Sequence, residues 1–181
     1  MVLAARRWLG TPYVHQAATR GAGCDCLGLI RGVWRSCCGP EPEQPPAYTM
    51  DWSEPQHEEL LWQAALRHLQ PKPLLAAAVG DVLLFRMRAG AVAKHLAIQT
   101  EVGGPDPMAQ TAAEPQAQFI HAYSGHGVVE TALSAPWQRR IVARFAFPVP
   151  ISGPAEATVQ VPEQALGCAS DNSIQQLANK R

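Results

Sequence analysis

Gly23-Cys24-Asp25-Cys26-Leu27-Gly28-Leu29 opens the stretch whose reading decides the fold. From Cys26 onward, Cys26, Ile30, Val33 and Cys37 recur at spacings of four, three and four, and Leu27, Trp34 and Cys38 widen the stripe. That period predicts a buried helix from Cys26 to about Cys38, with Asp25 placed to cap its free N–H groups. A thiol on the first turn of such a helix meets the positive end of the helix dipole, which favours the nucleophilic thiolate. The same N–H groups are suited to hold an oxyanion. Cys26 lies on the stripe that faces the rest of the fold, and Cys24 precedes the cap.

Upstream, a short helix is expected from about Leu3 to Leu9, stopped by Gly10-Thr11-Pro12, and a polar loop from there to Gly23. Downstream, residues 39–55 hold five prolines, which predicts irregular chain that wraps the surface or walls a groove. Ser53 and Gln56 resemble a capping box ahead of a second helix marked by Leu61, Ala65 and Leu69 and ending before Pro71. After Gly80 the period changes to two. Val82 to Met87, Ala93 to Thr100, Gln118 to Tyr123, Gly127 to Leu133 and Arg140 to Phe147 each read as strands. Helices first and about five strands afterwards argue for an α+β domain with an antiparallel sheet. Residues 1–150 form that domain, and 151–181, broken by prolines and then amide-rich, are expected as an extended tail.

Composition narrows the function. The chain has 181 residues, 47% of them hydrophobic, with 15 basic against 15 acidic side chains, so no net field attracts a polyanion. No basic patch with interleaved aromatics supports nucleic-acid binding, and Arg139-Arg140 reads as a solvated pair. No apolar run approaches the ~20 residues that cross a bilayer. The opening residues meet Arg6-Arg7 before a signal-peptide hydrophobic region forms, so synthesis in the cytosol without that export signal is expected. Four of the five cysteines fall within residues 24–38, unlike a secreted disulfide framework. A four-thiolate zinc site from Cys24, Cys26, Cys37 and Cys38 is disfavoured, because a helix rising ~1.5 Å per residue separates the pairs by about 16 Å. Neither a metal nor an organic cofactor is expected.

Two strand histidines are candidate partners for Cys26. In Lys94-His95-Leu96-Ala97-Ile98, alternation puts residues 95, 97 and 99 on one face, and in Phe119-Ile120-His121-Ala122 it puts His121 with Phe119 and Tyr123. If the two strands are neighbours, both imidazoles point the same way, and His95 acts as base with His121 fixing its tautomer. His15 and His126 read as loop residues near the groove, and Gly80-Asp81 as a turn entering a strand.

Taken in order, Thr11-Pro12-Tyr13, the Asp25-Cys26-Leu27-Gly28-Leu29 core, Gly80-Asp81-Val82-Leu83-Leu84-Phe85, Lys94-His95-Leu96-Ala97-Ile98 and Phe119-Ile120-His121-Ala122 resemble the NlpC family of papain-like cell-wall cysteine peptidases. The likeness runs through about residue 147. It implies a papain-like fold whose N-terminal helices present the cysteine against the sheet. It also implies cleavage of peptidoglycan stem peptides, typically between D-glutamate and a diamino acid such as diaminopimelate. By that resemblance Cys26 is the nucleophile, His95 the base and His121 the orienting residue, with Tyr13 and Asp25 near the substrate or oxyanion site. Leu27 stands where the family usually has serine, so any contact made by that hydroxyl is missing.

The Asp-Cys-Leu-Gly-Leu form, Gly23-Cys24 before it and His15-Gln16 after Tyr13 look most like the branch encoded beside phage tails and gene transfer particles. That branch implies tail hub or baseplate proteins as partners, residues 151–181 as a docking strap, and delivery to the wall within the particle. Other classes carried by the same sequence are an amidase or acyltransferase using the same three residues, and a structural tail component with a wall-binding groove.

Overall fold

The computed structural model describes residues 1–49, 57–104 and 116–148. The tail expected at 151–181, and the Ser53 and Gln56 pair, lie outside the described residues. Chain order runs α1 (Val2–Arg6), β1 (Ala18–Thr19), β2 (Gly23–Cys24), α2 (Cys26–Cys37), α3 (Leu60–His68), β3 (Gln70–Lys72), β4 (Val82–Phe85), β5 (His95–Glu101), β6 (Gln118–Tyr123), β7 (Gly127–Ala132), α4 (Ala135–Gln138) and β8 (Ile141–Ala146). The architecture is α+β. A six-stranded sheet in the order β3-β8-β4-β5-β6-β7 is antiparallel at every pairing.

Alternation sorts the strand residues onto two faces. Val82, Leu84, Leu96, Ile98, Ile120, Ala122 and Val128 turn toward Leu29, Ile30 and Val33 of α2 and form the main core. Leu83, Phe85, Ala97 and Phe119 turn the other way, onto Leu133, Trp137 and Ile141. Burial of both faces explains why β4 reads as a continuous apolar run.

Several expectations need correction. The loop before Gly23 contains a two-residue antiparallel pair, with Ala18 opposite Cys24 and Thr19 opposite Gly23. Two-residue strands carry no period to read. The helix after the proline-rich stretch starts at Leu60, with Glu59 and not Ser53 in the N-cap position. Glu59 makes no side-chain cap; its carboxylate instead accepts from Arg86 and from the backbone N–H of Ala93. Pro71 does not merely end a helix. It sits inside β3, an edge strand bonded only to β8, where a missing N–H is tolerated. The short helix α4, with proline in its first turn, was not expected either.

A buried polar knot locks β4, β5 and β8 together. Arg144 donates to Asp81 Oδ2 at 2.9 Å and to Gln99, while Lys72 Nζ donates to Asp81 Oδ1 at 2.6 Å. Asp81 therefore does more than enter a strand: its carboxylate neutralises the buried guanidinium of the last strand.

Candidate active site

The cleft is organised around Asp25. Its Oδ1 accepts from the Gly28 backbone N–H at 2.8 Å and so caps α2. Its Oδ2 accepts from the Gln16 N–H at 2.8 Å and from the Tyr48 hydroxyl at 2.5 Å, with His15 Nδ1 3.6 Å away. Tyr48 in turn offers its carbonyl to Gln16 Nε2 at 2.6 Å and to His15 Nε2 at 2.9 Å. Gln16 holds a left-handed backbone, φ 63°, rare for a side chain of its kind. One buried carboxylate thus fixes the start of the helix, the segment after Tyr13 and the proline-rich stretch at Tyr48.

Cys26 stands immediately after that cap. Its thiol donates to the Lys94 carbonyl at 3.8 Å, which brings the helix start against the entry of β5. Burial pushes the thiol up to about 12, and the Asp25 carboxylate adds to the rise; backbone N–H groups of Leu96, Leu27 and Cys26 oppose it. Burial and Asp25 thus oppose the thiolate that the helix dipole favours. Desolvation and a neighbouring anion outweigh the N–H groups.

His95 and His121 meet as their strand pattern required. His95 Nε2 lies 2.9 Å from His121 Nδ1, with both residues buried. The bond needs one donor and one acceptor, so two arrangements exist. Only when His95 carries its hydrogen on Nε2 is its Nδ1 lone pair open to a thiol proton. Burial drives His95 down to about 3, with His121 contributing second, and burial drives His121 down to about 4, with His126 second. Both rings rest neutral at ordinary pH.

The route by which Cys26 approaches the pair differs from the expected one. The stripe of α2 packs on the face of Leu96 and Ile98, whereas His95 and His121 lie on the other face, against Phe85, Phe119 and Trp137. Thiol and imidazole line one cleft at the end of the sheet, where β5 begins. Tyr13, Asp25, Cys26 and His95 line one cleft of about 170 Å³, together with Tyr48, Lys94 and Tyr123. His121 stands behind His95. Tyr13 is held beside Cys24 by a parallel bridge, and burial followed by Cys26 and then Asp25 pushes its phenol up to about 12. Of the loop histidines, His15 lines the cleft, and His126 is exposed beside the ring of Tyr123.

Two contributors escaped the sequence reading. Tyr48 sits within the proline-rich stretch, and only its contact with a residue 23 positions earlier reveals it. Trp137 lies on a four-residue helix too short to show a period. Other pockets are larger, one of about 230 Å³ between α2 and α3 and one of about 670 Å³ beside Gln99 and Arg144, but neither is lined by a cysteine. Among the described residues, no group of three or more His, Cys, Asp or Glu is placed to hold a metal ion.

The depressed imidazoles set a sign for stability against pH. The folded chain keeps His95 and His121 neutral well below 6.5, whereas the unfolded chain protonates them there. Stability is full above that value and is lost as pH falls toward the folded-state values. Each ring is expected to remove about 2 kcal/mol between pH 7 and pH 5. Urea titrations at the two pH values check this: wild type should lose more stability than the His95→Gln/His121→Gln double variant. Equal losses would refute the assignment.

No protein-family model matches the sequence, and no curated protein matches it. Among solved structures, the chain is similar to a Staphylococcus aureus protein described as similar to lipoprotein, NLP/P60 family, at 22% identity and a TM-score of 0.49. That alignment covers 81% of this chain and 40% of the staphylococcal one, so this chain spans less than half of that protein. It is also similar to the NlpC/p60 domain of the peptidoglycan hydrolase SagA, at 23% identity and a TM-score of 0.48, over 82% of this chain and 95% of that domain.

Proposed function

We propose that this chain is a cysteine peptidase that hydrolyses peptidoglycan stem peptides. The observation that carries the reading is the cleft in which Cys26, at the start of α2, shares a wall with His95, itself backed by His121 at 2.9 Å. A nucleophile, a base and an orienter of that base are the parts that acyl transfer needs.

The neutral resting pair defines the first step. As Sγ attacks the scissile carbonyl, its proton passes to His95 Nδ1, and the His95 Nε2–H bond to His121 becomes charge-assisted. The oxyanion is held by backbone N–H groups at the start of α2, with Gly28 N–H already committed to Asp25. His95 returns the proton to the leaving amine as the C–N bond breaks. Water, deprotonated by the same ring, then cleaves the thioester and restores the thiol. Tyr13 forms the wall beside the developing charge, and Asp25 positions the elements that make the cleft.

Within this reading the bond cut is the one between D-glutamate and diaminopimelate, as the family resemblance implies. Carriage on a phage-tail-like particle, with tail hub or baseplate proteins as partners and residues 151–181 as the strap, belongs to the same proposal. A chain ending near Phe147 that still assembles into particles would overturn the strap.

The central test is mass spectrometry of diaminopimelate-type peptidoglycan digested with wild type and with Cys26→Ala at near-neutral pH. New amine and carboxyl termini within the stem, absent with the variant, are expected and name the bond. Intact profiles from both would overturn the peptidase and favour a wall-binding tail component. Release at the sugar-linked amide, or transfer of an acyl group, would reassign the same residues to amidase or acyltransferase chemistry.

A further inference from the structure

We propose that Trp137 is a positioning residue for this reaction, its indole closing the outer side of the His95–His121 pair so that water does not enter the bond between the rings. The inference rests on the peptidase reading for its role, but its physical content can be measured without substrate.

Trp137 lies at the hub of the aromatic cluster on the sheet face opposite α2. Its ring centroid is 5.9 Å from His95 and 5.1 Å from His121, the latter edge to face at 85°. Phe85 at 5.4 Å and Phe119 at 5.2 Å pack on it from β4 and β6. Tyr123 completes the ring of contacts at 6.2 Å. The strands supply the floor under the two imidazoles, and Trp137 is the contact that comes from outside the sheet.

Its support is built from backbone bonds. Ser134 O accepts from Gln138 N–H at 2.9 Å, and Trp137 O accepts from Arg140 N–H at 3.0 Å. Arg86 N–H then donates to Arg140 O at 2.8 Å, tying the end of α4 to the end of β4. The Arg140 guanidinium lies over the indole, 5.5 Å from its centroid. A short helix is thus clamped where its one large side chain covers the pair.

A functional consequence follows from the tautomer that the reaction needs. Water entering between the rings would offer His121 Nδ1 another donor and His95 Nε2 another acceptor, releasing His95 to turn or to switch its hydrogen to Nδ1. Either change removes the lone pair that takes the Cys26 proton. Excluding water also raises the cost of an imidazolium formed without a partner.

The titratable and charged groups facing the pair are few enough to separate. Cys26, Asp25, Tyr13, His15, Tyr48 and Lys94 share the cleft with His95, Tyr123 stacks on His121 from β6, His126 approaches from the turn after β6, and Arg140 stands over the indole. Arg140 is the one whose charge acts alongside Trp137, so it requires its own control.

The experiment is long-range proton–nitrogen NMR of the ¹⁵N-labelled full chain, which reads tautomer and titration of each histidine, on wild type, Trp137→Ala, Trp137→Leu and Arg140→Gln. In wild type, His95 is expected to show a single Nε2–H tautomer. In Trp137→Ala both rings should titrate at least ~1 pH unit higher, with mixed tautomers at His95. Trp137→Leu keeps apolar bulk and should shift them less and in the same direction; it also decides the matter if the alanine variant fails to fold. Arg140→Gln should leave the tautomer unchanged. If titration and tautomer in a folded Trp137 variant match wild type, the proposal is overturned, and a shift produced fully by Arg140→Gln would reassign the effect to charge. Where hydrolysis is measurable, the acid limb of kcat/KM should move up with the NMR titration. Absence of hydrolysis in wild type would count against the peptidase and leave the shielding result standing.

Discussion

His95→Gln is expected to lower kcat/KM on stem peptides by roughly 10³-fold, the scale of a lost general base, while leaving alkylation of Cys26 by iodoacetamide nearly unchanged. The two halves have one cause. If a resting imidazolium held the sulfur as thiolate, removing His95 would collapse both hydrolysis and alkylation. Here the thiol is held protonated by its own burial and by Asp25, so the imidazole contributes only when the proton moves. Alkylation rates from pH 6 to 10 check this directly. Wild type and variant should rise together toward high pH. A plateau near neutral pH in wild type that disappears in the variant would establish a thiolate–imidazolium pair and rule out proton transfer during the attack.

Gly28→Ala is expected to be the most damaging single-methyl change in the fold. A Cβ at that position would lie 1.9 Å from the Ala17 carbonyl oxygen and 3.1 Å from the Ala18 Cα, both backbone atoms of the segment leading into β1. Neither a rotamer change nor a side-chain shift relieves such a contact. The same Ala17 carbonyl accepts the Asp25 N–H at 3.3 Å, so pushing it away disturbs the cap as well. The cost should reach about 3 kcal/mol, a fall in Tm of roughly 10 °C for a domain of this size. Thermal melts read the stability. Residual hydrolysis by the folded fraction should also drop, because Cys26 moves with the helix start. A variant that melts within 2 °C of wild type would show that the two segments are looser than the packing indicates.

Much of the fold was legible because the strands after Gly80 keep a period of two and α2 carries both a stripe and a capping aspartate. Gln118 to Tyr123 was read to the residue. What was not legible had no period to offer: the pair Ala18–Thr19 and Gly23–Cys24, the strand around Pro71 and the four residues of α4. The site divides along the same line. Alternation placed His95 and His121 on one face, and their rings meet there. It did not say which face α2 covers, since both faces are apolar. The environment of the thiol was legible only in part. The helix dipole is a local property visible in sequence, while burial, which dominates it, depends on chain far away. Tyr48 and Trp137 act through contacts of that distant kind.

The placement of the histidines on the side of the sheet away from α2 has a consequence for how activity arises during folding. The thiol belongs to one layer and the imidazoles to the other, and Cys26 and His95 share the cleft at the mouth of β5. A sheet that has formed without its helix holds a paired but idle base, and a helix that has formed without its sheet holds a sulfur with no imidazole beside it. Under the proposed function the reaction needs both layers docked, which makes hydrolysis itself a gauge of complete assembly.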